Sequence, residues 1–326
     1  MEHLIRNLRL LVQQEKMNRN MFKAKAYNTV LLQLQALPAD TPVHSVDDLI
    51  KDNDIKGIGK SIRSKIEEIL ATGKTTAVDT KKIEAIEAVE TLGKIMAIGP
   101  VKAKELVEKH GIYTVEQLER EGVHLLNDKQ KMGLKYHADF ELRIPRAEME
   151  KHEAFLRSVF GEFAQESASD ANILTMEIAG SYRRGVSSSG DIDVLITGPK
   201  NVLQPMVTRL QQKKYLIDIF GHGDKKCIGV CKLPRHKHAR RIDIMYTAPE
   251  QFPFALLYFT GSQKFNIQMR QRALEMGYSL NEYGLTPTAD ARTDALKKLP
   301  ETGFKTEADV FEFLEMPFRS PRERQM

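Results

Sequence analysis

Two carboxylates, Asp191 and Asp193, stand two residues apart at the head of the apolar run in GSYRRGVSSSGDIDVLI, residues 180–196. A β-strand alternates its side chains, so this spacing puts both acids on one face and sends Ile192 and Val194 to the core. Asp is disfavoured on an apolar strand without compensation, and two unpaired carboxylates side by side repel each other, so a cation is expected between them. The run RRIDIMY (240–246) supplies a third acid in the same manner: Asp243 shares a face with Arg241 and Met245, opposite Ile242 and Ile244. If the two strands are neighbours, three carboxylates converge. Such a cluster suits hard divalent ions, usually Mg²⁺ completed by waters and phosphate oxygens. Two such ions ~3.5–4 Å apart clamp the attacking and leaving oxygens of an in-line phosphoryl transfer.

The preceding turn fits the same chemistry. Gly180 ends a strand, and Ser181–Arg184 would begin a helix aimed at the acids. The Ser181 hydroxyl, backbone N–H groups and Arg184 are apt ligands for a triphosphate, and Ser189 and Gly190 bring the chain close to its tail.

The first third of the 326-residue chain reads helical, with Leu4, Leu8, Leu11 and Val12 on one face and Ala26, Val30 and Leu34 continuing the period. Ser45 is placed as an N-cap. A small motif then repeats: Gly57–Gly59 runs into a helix with Lys60 and Arg63 (Ile62, Ile66 and Ile69 inward), and Ala97–Gly99 into one with Lys102 and Lys104. Gly permits the tight turn, and the helix N-terminus offers free N–H groups to a phosphate. Two copies point to a nucleic-acid backbone, which such contacts position without reading its sequence. From Glu177 the texture turns to β-like runs (MEIAG, DIDVLI, CIGVCKL, RRIDIMY), so a boundary is expected near Arg143–Pro145.

A net charge of +5 and a pI near 8.9 favour an anionic partner, and on charge alone nucleic acid, phosphorylated ligands and membrane surfaces stay open. The two cysteines form no disulfide framework, which favours a reducing compartment. No apolar run approaches a membrane span, and the N-terminal stretch lacks a signal-peptide core. HGDKKCIGVCKLPRHKH gathers His222, Cys227, Cys231, His236 and His238, but the spacing does not match a zinc site. Both cysteines share a strand face as small hydrophobes, and RHKHARR reads as a solvated hairpin tip.

With GIGKSIRSKIEEILATGK, LKYHADFELRIPRAEM, GSYRRGVSSSGDIDVLI, RRIDIMY, LYFTGSQKFNIQMR and NEYGLTP in this order, the chain resembles the family X DNA polymerases, most closely their beta type, over nearly its whole length. The resemblance implies an α+β multidomain fold. Its parts are a helical lyase-like domain (1–80) with one helix-hairpin-helix, a duplex-binding helical subdomain (81–143) with a second, a nucleotidyltransferase palm with a mixed sheet (144–250), and a small α/β nucleotide-selecting subdomain (251–326). It implies template-directed gap filling in base excision repair with gapped or nicked duplex DNA and dNTPs. The alternatives are a template-independent nucleotidyltransferase of the same superfamily and a non-catalytic DNA-end binder. A long loop at RHKHARR accompanies template-independent synthesis in some relatives, so its shortness favours copying.

By the same resemblance, Asp191 and Asp193 bind both Mg²⁺ ions (or Mn²⁺) and Asp243 the catalytic one. Arg143, Ser181, Arg184, Ser189 and Gly190 become triphosphate ligands. Tyr258 and Phe259, next to Gly261 in YFTGS, pack under the sugar, while Asn266 and Arg270 meet the nascent base pair and template. Arg241 and Tyr283 join the DNA contacts. Gln263 stands where the family's best-studied members carry an Asp, which touches the contact to the incoming base. Lys65 aligns with the lyase nucleophile, its amine kept neutral by cations such as Lys60 and Arg63. Lys23 and Tyr27 match the 5′-phosphate and sugar pocket, whereas Phe22, Ser61 and Ala77 replace polar or cationic residues. DNA contacts at the hairpins involve Gly57, Gly59, Lys60, Gly99 and Lys102, and the carbonyls of Ile55, Ile58, Ile95 and Ile98 hold Na⁺ or K⁺. Ala97 in place of Gly is expected to alter the second turn slightly. A monomer is expected, nuclear by default with mitochondrial or viral settings as alternatives, with repair proteins as further partners. No BRCT-like or phosphoesterase extension is expected within these 326 residues.

Overall fold

The period of the first leucines becomes helix α1 (Glu2–Met17), which packs on α2 (Met21–Ala36) and α3 (Lys60–Thr72). Their shared core contains Leu4, Leu8, Leu11, Val30, Leu34, Leu49, Ile62, Ile66 and Ile69, all buried. Asn20 caps α2 by accepting from the Lys23 N–H, and Ser45 and Asp48 bond reciprocally ahead of the turn at Asp48–Asp52. The structure, a computed structural model, describes residues 1–38, 41–76, 80–166, 174–198, 202–288 and 297–325.

A second helical cluster follows: α4 (Thr80–Gly93), α5 (Pro100–His110), the short α6 (Val115–Gln117) and α7 (Asp128–Glu141). Leu92, Ile95, Ile98, Ala103, Leu106 and Ile112 form its core. The two Gly-containing turns match closely. Gly57 sits at φ +87° and Ala97 at φ +68°, and Gly59 and Gly99, at φ −78° and −79°, each start a helix. Ala97 takes the left-handed conformation that Gly57 takes in the first turn, at a cost of about 1–2 kcal/mol for a residue with a Cβ.

Residues 1–134 and 135–326 form two separate compact units. The division falls inside α7, upstream of the composition change at Arg143. Lys135 Nζ and the Tyr136 hydroxyl both bond Asp218, which commits the end of this helix to the second unit.

In that unit β1 (Ile144–Pro145) leads into α8 (Arg146–Glu166), β2 (Thr175–Ile178) and the one-turn helix α9 (Gly180–Arg183). Then come β3 (Ser188–Ser189), which pairs with β1, β4 (Ile192–Thr197) and α10 (Leu203–Gln212). β5 (Leu216–His222), β6 (Lys226–Cys231) and β7 (Arg240–Thr247) complete a five-stranded sheet of order β2-β4-β7-β6-β5. Among the described residues, only β4 and β7 run parallel in it; the other pairs are antiparallel. Ile192, Val194, Ile242 and Ile244 pack into one core with Leu156 of α8 and Val207 and Leu210 of α10. The opposite side is covered by α11 (Phe252–Thr260), where Leu195 and Met245 meet Ala255 and Leu256. α12 (Gln263–Glu275), β8 (Tyr278–Asn281), β9 (Gly284–Pro287) and α13 (Glu307–Phe313) surround a further core of Phe265, Met269, Val310 and Phe311.

Cys227 and Cys231 are buried on one face of β6, as the alternation predicts, and burial pushes their thiols up to about 11 and about 12. Of RHKHARR, the connection between β6 and β7 is solvated at Arg235 and Lys237, while the end that enters β7 is not. Arg240 is buried, donates twice to Glu148 and once to the Leu142 carbonyl, and His238 Nδ1 lies 2.7 Å from Asp139. Flanking acids too far off in sequence to be seen beforehand recruit the basic run.

Candidate active site

The parallel register of β4 and β7 sets Asp193 directly opposite Asp243, with Asp191 just ahead of β4. Their neighbours Ile192, Val194, Ile242 and Ile244 anchor both strands in the core, which fixes the acids on the other face. Asp243 is buried, while Asp191 and Asp193 are half-buried. Burial, then the charges of Asp191 and Asp243, push the Asp193 carboxyl up to about 7. Burial also raises Asp191, with Arg241 acting in the opposite sense.

Two cations sit among these acids. The Arg241 guanidinium donates to Asp243 at 3.1 and 3.0 Å and lies 3.9 Å from Asp191. Lys226 Nζ is 2.8 Å from Asp243. The expected three-carboxylate metal cage is accordingly not closed: among the described residues no three His, Cys, Asp or Glu side chains converge to hold an ion. Arg241 and Lys226 draw the carboxylate of Asp243 to themselves. The donor set still fits a hard divalent cation, since all three groups offer only oxygen. Burial first, and the like charges after it, favour the protonated Asp193, and a bound cation would reverse that preference.

A cleft of about 780 Å³ opens beside the acids, lined by Asp191, Asp193 and the α9 turn on one side and by α11 and α12 on the other. Gly180 starts α9 at φ +60°, and a Cβ there would stand 2.3 Å from Asp193 Oδ2. Only glycine lets the turn touch that carboxylate. Ser181 Oγ donates to Ser189 Oγ at 2.9 Å, with Ser189 buried behind it. Arg184 Nη1 donates to the Thr260 carbonyl at 2.6 Å, and its Nε is buried without a partner. Burial lowers this guanidinium. Arg143 reaches the hydroxyl and carbonyl of Ser188, 3.3 Å from where a Cβ on Gly190 would lie. Across the cleft, Tyr258 and Phe259 pack edge to face at 5.1 Å. Asn266 Nδ2 donates to the Tyr258 carbonyl at 2.7 Å, and the Arg270 guanidinium lies 5.1 Å from the Tyr258 ring centre. Gly261 turns the chain at φ +66°, and Gln263 lines the same wall. Tyr283 is exposed and outside the cleft lining, with the Lys225 ammonium 5.4 Å over its ring.

Sequence reasoning missed an ionic lock behind this cleft. Arg183, next to Arg184 in α9, donates to Glu307 at 2.8 and 3.1 Å and to the Thr260 hydroxyl at 2.8 Å. Arg324 donates to the same carboxylate at 2.6 Å and lies against Phe265, Phe311 and Phe318, 5.3–5.9 Å from their ring centres. Burial pushes Glu307 up, but the two guanidinium groups outweigh it and leave the carboxyl lowered. The adjacent arginines of GSYRRG were the one visible signal.

In the first unit Lys65 is half-buried on α3 and donates to Glu68 at 3.4 Å. Nearby on α3, Arg63 pairs with Asp47 and Glu67, and Lys60 is exposed. Lys23 is exposed, and Tyr27, on the inner face of α2, is packed into the core of the three helices. Phe22 and Ser61 are exposed, and Ala77 lies outside the described residues. Lys102 donates to Glu105 at 3.0 Å. At the hairpins the Ile95 carbonyl accepts from Ile98 N–H at 2.9 Å, and the side chains of Ile55, Ile95 and Ile98 are buried while that of Ile58 is half-buried.

Four family models match the chain in succession: a helix-hairpin-helix domain over residues 2–75, the fingers domain of DNA polymerase lambda over 90–141, the DNA polymerase beta palm over 143–249 and the DNA polymerase beta thumb over 255–325. Among relatives, DNA polymerase lambda of Arabidopsis thaliana is 33% identical over 88% of this chain and 55% of its own length. DNA polymerase lambda of Rattus norvegicus is 30% identical over 99% of this chain and 56% of its own. DNA nucleotidylexotransferase of Xenopus laevis is 26% identical over 82% and 58%, respectively. The chain spans just over half the length of these relatives.

Proposed function

Since this chain belongs to the family X DNA polymerases, we propose that it is a template-directed polymerase that fills short gaps in duplex DNA during base excision repair. The observation that carries the reading is the register that sets Asp193 against Asp243 beside a Ser- and Arg-bearing turn in one cleft. Asp191, Asp193 and Asp243 would hold two Mg²⁺ ions, or Mn²⁺, which supply the positive charge that an anionic phosphoryl transfer needs. Ser181, Ser189, Gly190, Arg143 and Arg184 receive the triphosphate, and the unpartnered Nε of Arg184 is a donor left over for it. Tyr258 and Phe259 wall off the sugar. Asn266 and Arg270, one turn apart on α12, face the base pair. The paired hairpins, with Gly57, Gly59, Lys60, Gly99 and Lys102, grip the duplex backbone, with Na⁺ or K⁺ on the carbonyls of Ile55, Ile58, Ile95 and Ile98. Arg241 and Tyr283 add DNA contacts.

A single-nucleotide gap tested with each dNTP against each template base checks this reading. Incorporation of the complementary dNTP is expected; indifference to the template favours a template-independent transferase, and no incorporation at all sinks the polymerase reading. A 5′-deoxyribose-phosphate end tests the companion lyase, whose nucleophile is Lys65. Borohydride is expected to trap a covalent adduct that Lys65→Ala abolishes. The lyase reading fails if wild-type protein gives no adduct or the variant gives as much.

A further inference from the structure

The acid face of the sheet already carries its own cations, and the strand register dictates this. β6 and β7 are antiparallel with Ile228 opposite Asp243 and Lys226 opposite Met245. Lys226 is thus a diagonal neighbour of Asp243 on the same face, within reach of a long side chain. Arg241, two residues before Asp243 on β7, projects to that face as well. The result is a buried carboxylate with an ammonium 2.8 Å and a guanidinium 3.0 Å away. Asp243 is 5% exposed, but Lys226 and Arg241 are 45% and 34% exposed, so both can swing into solvent without opening the core.

We propose that Lys226 and Arg241 are built-in place-holders for the divalent ions: metal enters by displacing two side-chain cations of this chain from Asp243. This rests on the metal role given above to the three acids. The place-holders spare the metal-free protein part of the repulsion among Asp191, Asp193 and Asp243. Because the metal-competent arrangement is only one of two, apparent metal affinity is reduced by the fraction of molecules in which Asp243 is engaged. Lys226 is a positioning residue, and removing its ammonium raises that affinity.

The test is a Mn²⁺ titration of the full chain without nucleotide, followed through the EPR signal of the free ion. Lys226→Met is expected to bind Mn²⁺ roughly three- to fivefold more tightly, the range set by one partly exposed ion pair, whereas Lys226→Arg is not. Lys225→Met controls for net charge. Its ammonium lies over Tyr283 rather than on Asp243, so its affinity is expected to stay within twofold of wild type (about 0.4 kcal/mol). Equal tightening in Lys225→Met and Lys226→Met overturns the proposal, since charge alone would then explain it. Asp193→Asn separates the two layers. If it binds Mn²⁺ as wild type does, the metal site itself is wrong and this inference falls with it. If binding depends on Asp193 but Lys226→Met does not tighten it, the place-holder alone is wrong.

Discussion

Asp193→Asn is expected to stop nucleotide incorporation and, in the absence of metal, to make the protein more stable. The folded-state carboxyl sits at about 7 against an ordinary 3.8. A raised folded-state value means that its contribution to stability is fully present below the unfolded value and is lost as pH rises through the folded one. Metal-free wild type should therefore weaken between about pH 4 and pH 7, by on the order of 2–4 kcal/mol from this group. Asparagine keeps the shape without the charge, so the variant should lose that slope and exceed wild type at pH 8. Urea denaturation in EDTA at pH 5 and pH 8 reads the first half, and a variant no more stable than wild type at pH 8 refutes it. Incorporation should fall by ~10³-fold or more, because a ligand to both ions is lost and several kcal/mol of charge stabilisation go with it.

Glu307→Gln is expected to cost about 3–5 kcal/mol, the penalty for stranding buried charge. Arg324 is fully buried and Arg183 is 21% exposed, and both lose their anionic partner together. Adding Arg183→Met should restore part of the loss, which an unrelated packing defect would not allow. Because the Glu307 carboxyl is lowered in the folded state, its contribution is present above the usual carboxylate value and disappears as pH falls through the folded one. Wild type should thus approach the variant in acid, and urea midpoints at neutral and acid pH check both statements. Arg183 lies in the same helical turn as Ser181 and Arg184, so weaker nucleotide binding should accompany the loss.

What could be read beforehand was local. Alternation placed Asp191, Asp193 and Asp243 on one face because strand geometry repeats every two residues, and the Ile62, Ile66 and Ile69 face followed from helical period. The neighbourhood of β4 and β7 stayed conditional, since pairing is a tertiary fact. Three placements that the sequence left hidden have the same origin. Tyr27 goes into a core, Arg240 is buried under Glu148, and Arg183 finds Glu307 far along the chain, each decided by a partner that no short window contains. Strand β5 went unnoticed because its alternation is blurred: Asp218 and His222 interrupt one face, and the apolar Ile217 on the other is exposed. Ala97 shows the converse: a residue with a poor intrinsic preference accepts the conformation its surroundings impose.

The lone parallel pairing of β4 with β7 also bears on the order in which the molecule assembles. β6 meets β7 across a nearby connection, whereas β4 must wait for a crossover that includes α10, β5 and β6. Contacts of high sequence separation carry the larger loop-closure entropy and form late. Asp193 and Asp243 therefore become neighbours through the slowest strand association in the sheet, and a refolding chain acquires its compactness before its chemistry.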